Sequence, residues 1–169
     1  MKTHVSLTDF KLECYPQAVR VHLITVGEPK HEYARLGCDM YLKRLERYHK
    51  VRVTRVRDSK RGGETAQLEE GKNLLEAAGK AFIVALDARG KHFTTEALTT
   101  WMTNLATGGE GEVAFLIGGP EGLSDEVRSH ARLLWALSDL TFPHDLAQLV
   151  TCEALYRAAT LERGEPYHR

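Results

Sequence analysis

Apolar positions along the chain switch between a period of two and a period of three to four. Val19-Arg-Val-His-Leu-Ile-Thr-Val26 alternates and then turns continuously apolar, which predicts a buried strand ended by Gly27 and Pro29. Over residues 31–49, Tyr33, Ala34, Leu36, Met40, Tyr41, Leu42, Leu45 and Tyr48 recur at three and four, as on an amphipathic helix. Val51-Arg-Val-Thr-Arg-Val-Arg57 alternates again, giving a strand near a sheet edge with arginines toward solvent. Residues 64–78 read as a second helix with Gly79 as its C′ residue. Ala81-Phe-Ile-Val-Ala-Leu86 is a wholly apolar strand, followed by a loop, Asp87-Ala-Arg-Gly-Lys91. Thr94 and Thr95 with Glu96 open a third helix that runs to about Leu105.

Val113-Ala-Phe-Leu-Ile117 then passes straight into Gly118-Gly119-Pro120-Glu121-Gly122, a buried strand ending in a loop with exposed main chain. Ser124 caps a short acidic-headed helix, Leu133-Leu-Trp-Ala-Leu137 is a last strand, and a final helix spans about 144–161. The tail beyond it shows no packing pattern. Residues 1–18 read as a poorly ordered extension before a single domain over 19–169. Strands alternate with helices almost throughout, so the expected architecture is α/β: a mostly parallel sheet with helices on both faces.

Composition narrows the class. The chain has 169 residues, 43% hydrophobic and 27% charged, which suits one globular domain with a real core. Net charge is zero, but from Lys43 to Arg61 nine basic residues face only Glu46 and Asp58. That local patch is either a solvated face or a nucleic-acid contact. Cys14, Cys38 and Cys152 fit free thiols in a reducing compartment, and no His/Cys cluster has zinc spacing, so no metal is expected. No apolar run is long enough for a membrane helix and the start lacks a signal-peptide core, which points to the cytoplasm.

Three apolar strands end in distinctive loops: Leu86-Asp87, Ile117-Gly118-Gly119-Pro120, and Ser138-Asp-Leu-Thr-Phe-Pro143. If those strands are parallel neighbours, the loops gather at one edge around a flat apolar slot rich in main-chain groups, suited to an adenine-type ring. Glu153 and Arg157 share one face of the last helix, with Tyr156 directed elsewhere. They read either as a helix-stabilising ion pair or as site residues. The terminal Pro166-Tyr-His-Arg169 offers a ring that can stack on a base, an imidazole that can move a proton and a guanidinium that can hold phosphate.

Leu-Ile-Gly-Gly-Pro-Glu-Gly-Leu-Ser (116–124), Leu-Ser-Asp-Leu-Thr-Phe-Pro-His (137–144), Glu-Ala-Leu-Tyr-Arg-Ala (153–158) and the terminal Pro-Tyr-His-Arg, in this order, resemble the RlmH (YbeA-type) methyltransferases of the SPOUT class. The resemblance covers about 19–169. It implies methyl transfer from S-adenosylmethionine to N3 of a pseudouridine in helix 69 of 23S rRNA on the assembled ribosome. It also implies a C-terminal trefoil knot and a homodimer. Carried over by position, Leu86, Ile117, Gly118, Gly119, Ser138, Asp139, Leu140, Thr141, Phe142 and Pro143 would bind the cofactor. Glu153, Arg157, Tyr167 and His168 would serve methyl transfer, and Lys60, Arg61 and Arg169 would face RNA. Two departures stand out. The family lacks a counterpart of residues 1–18, and it mostly carries Arg where this chain has Gln148. Another RNA such as tRNA, or non-catalytic docking on ribosomes, stays open at this point.

Overall fold

The computed structural model describes residues 19–168. The expectations for residues 1–18, with Cys14, and for Arg169 lie outside them. The apolar runs form β1 (Arg20–Val26), β2 (Val51–Val56), β3 (Phe82–His92), β4 (Glu112–Ile117) and β5 (Leu133–Ala136). The helices are α1 (Glu32–Leu45), α2 (Gly63–Ala78), α3 (Thr95–Thr107), α4 (Asp125–His130) and α5 (His144–Glu162). One sheet results, in the order β2-β1-β4-β3-β5, with every pair parallel. The edge position of β2 accounts for its alternation. The central β4 is buried on both faces and is apolar from Val113 to Ile117.

Because strand side chains alternate faces, one sheet supplies two cores. Val21, Leu23, Val84, Val113 and Phe115 pack under α1, α3 and α5 with Leu42, Leu45, Leu98, Met102 and Leu155. Ile24, Val26, Ile83, Ala85, Ala114 and Leu116 pack under α2 and α4 with Leu74, Ala78 and Val127. Ser124 accepts a hydrogen bond from the Val127 N–H as the N-cap of α4, as its position predicted. Among the described residues no helix is long and apolar enough to cross a membrane. The thiols of Cys38 and Cys152 are free and buried, on α1 and α5.

One element differs from the sequence reading. The loop expected over Asp87-Ala-Arg-Gly-Lys91 belongs to β3: the strand swings out and returns, so that Leu86 and Lys91 both register with Trp135 of β5. The polar residues of this excursion hid its extended backbone. Gly90 allows it, since a Cβ there would collide with the Leu134 main chain.

Candidate active site

Parallel pairing sets the excursion of β3 beside the C-terminal ends of β4 and β5, and that excursion and the loops leaving β4 and β5 border a cavity of about 710 Å³. Leu86, Ile117, Trp135, Leu137, Leu140 and Phe142 give it apolar walls. Gly118, Gly119 and the 138–143 loop give it main-chain surface. Gly119 sits close to α2: a Cβ on it would lie 2.8 Å from Glu70 Oε2 and 3.2 Å from Val26 Cγ1. The glycine turn closes with the Gly122 N–H donating to Gly119 O at 2.9 Å.

The 138–143 loop is braced by Ser138 Oγ, which accepts from the Leu140 N–H at 3.0 Å. This leaves Leu140 as a 72% exposed leucine on the cavity rim, a surface available to cover a flat ligand. At the start of α5, His144 Nδ1–H donates to Gly118 O at 2.7 Å. A carbonyl can only accept, so Nε2 is the acceptor end of the ring and takes the Gln148 amide at 2.6 Å. Gln148 is buried and points inward, fixing the His144 tautomer and, through it, the Gly118 carbonyl.

Of the ten positions assigned to the cofactor, nine line this cavity. Asp139 does not. Its side chain is exposed and its carboxylate turns to His92 Nε2 at 3.3 Å. The sequence reading placed the Leu86-Asp87 strand end at the slot but did not single out Gln67, Arg89 and Arg128, which with Asp87 and Glu121 supply the cavity's polar rim. Asp87 receives the Arg89 main-chain N–H at 2.9 Å and its guanidinium at 3.0 and 3.2 Å, and Arg128 lies 3.5 Å away. Bonding to Arg89, against the opposing effect of burial, holds the Asp87 carboxyl below its ordinary range. Asp-x-Arg directly after an apolar strand was the available signal.

A second cluster forms where the tail folds back. Contrary to the expectation of an unpacked end, Tyr48 O–H donates to Glu165 at 2.7 Å and the Tyr167 ring meets Tyr156 edge-on at 4.8 Å. Tyr156 therefore faces the tail rather than pointing elsewhere. Arg157 donates to Glu153 Oε1 through Nε at 2.9 Å and a terminal nitrogen at 2.5 Å. Tyr167 donates to the same oxygen at 3.1 Å, and the Arg157 guanidinium lies 4.7 Å from the Tyr167 ring centre. Burial, the Tyr41 hydroxyl at 3.4 Å and the Glu153 carboxylate push the Tyr167 phenol well above its ordinary value, so it stays a donor. The ion pair to Glu153 likewise raises Arg157. Glu153, Arg157 and Tyr167 thus come together. His168 does not join them, because its Nε2 lies 3.1 Å from Glu96 on α3. Lys60 and Arg61 sit on an exposed loop after β2, and Arg61 pairs with Glu69 at 3.2 Å.

Residues 19–168 match the family model described as "Predicted SPOUT methyltransferase". The chain is 57% identical over 151 residues to the ribosomal RNA large subunit methyltransferase H of Deinococcus radiodurans, covering 89% of this chain and 99% of that one. It is 40% identical over 157 residues to the protein of the same name from Syntrophobacter fumaroxidans, covering 89% and 100%. Its fold is similar to a probable methylase family protein from Haemophilus influenzae, with a TM-score of 0.55 at 13% identity, over 89% of this chain and 71% of that one. A probable methyltransferase from Bordetella pertussis gives a TM-score of 0.52 at 12% identity, over 83% and 96%.

Proposed function

The chain belongs to the SPOUT methyltransferase family, and from that premise we propose that it methylates large-subunit ribosomal RNA with S-adenosylmethionine as donor. The observation that carries this reading is the cavity between the β3 excursion and the ends of β4 and β5. Its volume of about 710 Å³ falls in the range of small-molecule sites, roughly 300–1,000 Å³. Its apolar walls and glycine-lined floor fit an adenosyl group. Leu86, Ile117, Gly118, Gly119 and the 138–143 loop would hold it, and the donor supplies a methyl group on a sulfonium, already activated for displacement.

The finer reading is N3 of a pseudouridine in helix 69 of 23S rRNA, methylated on the assembled ribosome in the cytoplasm. An imide N–H at N3 must lose its proton to become a nucleophile. Glu153 accepts that proton. Its Oε1 carries the Arg157 and Tyr167 donors, which leaves Oε2 to the substrate. Arg157 balances negative charge on the uracil ring, and the Tyr167 phenol orients the base. His168, seated on Glu96, fixes the tail.

The cavity and the Glu153 cluster draw on different turns of α5. Ala147 lines the cavity, whereas Glu153 lies six residues on, about 9 Å along α5 and roughly 120° around it. Methyl transfer requires the reacting atoms about 3–3.5 Å apart. A homodimer in which each tail serves its partner's cavity satisfies this. Tyr33, Leu36 and Met40, exposed at 55%, 53% and 40% along one stripe of α1, provide an apolar surface for that second copy. A C-terminal trefoil knot is part of the same family-based reading.

Mass mapping of 23S rRNA from cells lacking the gene is the direct test. Loss of one methyl on a helix 69 pseudouridine, restored by the gene, is expected. An unchanged large-subunit map with a methyl missing from tRNA would replace the substrate assignment.

A further inference from the structure

Glu70 on α2 is only 4% exposed, and neither the cavity nor the cluster on α5 uses it. Its two oxygens face different loops. Oε1 accepts the main-chain N–H of Ser59 at 2.9 Å, in the basic loop that carries Lys60 and Arg61. Oε2 is buried without a hydrogen-bond partner and lies 2.8 Å from where a Cβ on Gly119, in the cavity floor, would stand. Neighbours on α2 repeat the arrangement. Glu69 accepts from Ser59 Oγ at 2.6 Å and pairs with Arg61 at 3.2 Å, while the Gln67 amide donates to the Glu121 carbonyl. A carboxylate oxygen kept from water without a donor is costly, so its position is set by what surrounds it.

We propose that Glu70 is a positioning residue that couples the basic loop to the floor of the cavity, so that a ligand in the cavity orders the loop that meets the RNA. The inference rests on the reading of the cavity as the S-adenosylmethionine site. On the α2 side of Gly119, the space a Cβ would need is taken by Glu70 Oε2. A ligand that fixes Gly119 therefore fixes Glu70, and the carboxylate holds Ser59 N–H through its other oxygen. Linkage makes the effect reciprocal: RNA on the basic loop would tighten the cavity for the donor.

Amide hydrogen exchange on the full-length protein tests this with S-adenosylmethionine alone. In the wild type the donor should slow exchange in residues 118–122 and also in 58–62, which do not line the cavity, by about 5-fold or more, within the usual span of coupled sites. In Glu70→Gln, which keeps the shape but not the charge, the 118–122 protection should persist and the 58–62 protection should shrink. In Glu70→Ala the 58–62 protection should vanish. Glu70→Gln serves alone if the alanine variant does not fold. Wild-type protection confined to 118–122, or protection of 58–62 that survives both substitutions, overturns the coupling and leaves the cofactor site standing. No protection at 118–122 in the wild type overturns the cofactor reading and the coupling with it.

Discussion

At the residue scale, the buried polar groups carry the clearest consequences. His22 is 1% exposed within the sheet, with Nε2 2.8 Å from Thr54 Oγ1 and Nδ1 2.9 Å from the Arg52 guanidinium. Burial first and then Arg52 lower its pKa, against a smaller opposing effect of Glu112. Burial lowers His49 as well. In both cases the unfolded chain takes up a proton before the folded one. Stability should therefore be fully present above about pH 6.5 and should fall as pH drops from there toward the lower folded values. Thermal melts between pH 8 and pH 5 should show this, and His22→Gln should flatten part of the slope. For Glu153, replacement by Gln keeps the contacts of Arg157 in kind but removes the proposed base. It should lower kcat by about 100-fold or more while the dissociation constant for S-adenosylmethionine from calorimetry stays near the wild-type value. A wild-type kcat would exclude Glu153 as the proton acceptor.

At the scale of the element, the excursion in β3 shows where sequence reading succeeds and stops. Hydrophobic period was enough for the strands and helices, because the runs at 113–117 and 81–86 face a core on both sides and the valines of edge strand β2 are half-buried. It failed over Asp87-Ala-Arg-Gly, where the backbone is extended but the side chains point to a polar rim. The glycine loop and the 138–143 loop were legible as cavity walls from their strand-end positions. The Asp87–Arg89 pair had a local signal that went unused, whereas Arg128 and Glu70 were not legible, since their meaning depends on contacts with chain 11 to 49 residues away, such as Asp87 near Arg128 and Gly119 beside Glu70. The tail looked unstructured because Tyr167 packs against α1 and α5 rather than against its own neighbours. The excursion also yields a test. Gly90→Ala forces a Cβ into the Leu134 main chain and should cost about 1–3 kcal/mol. That corresponds to a melting point lower by roughly 2–4 °C for each kcal/mol. A melting point unchanged from wild type would mean that the strand can relax away.

For the whole molecule, the separation of cavity and tail cluster makes a statement about assembly that mixing can check. A Gly119→Val chain should lack a working cavity and a Glu153→Gln chain the proposed base. If each tail serves its partner, mixed dimers hold one intact composite site, and random mixing should restore about a quarter of wild-type activity. If each chain serves itself, mixing restores nothing. With no net charge the protein has no global field to draw RNA, and the Lys43–Arg61 stretch is its local basic patch. Short naked RNA should accordingly be a poor substrate at moderate salt compared with ribosomal particles.

The strand order also governs how the molecule reaches its fold. β4 lies between β1 and β3, so Arg20 registers with Glu112 across more than half the chain before either neighbour has its inner edge covered. Until β4 arrives, two apolar strand edges stand open, and loop closure must precede any gain from pairing. Refolding should thus be slow for a chain of this length and most prone to aggregate at that stage. Truncating Phe115 at the centre of β4 should slow refolding more than a comparable truncation in the edge strand β2, because β4 is the piece that converts two half-sheets into one.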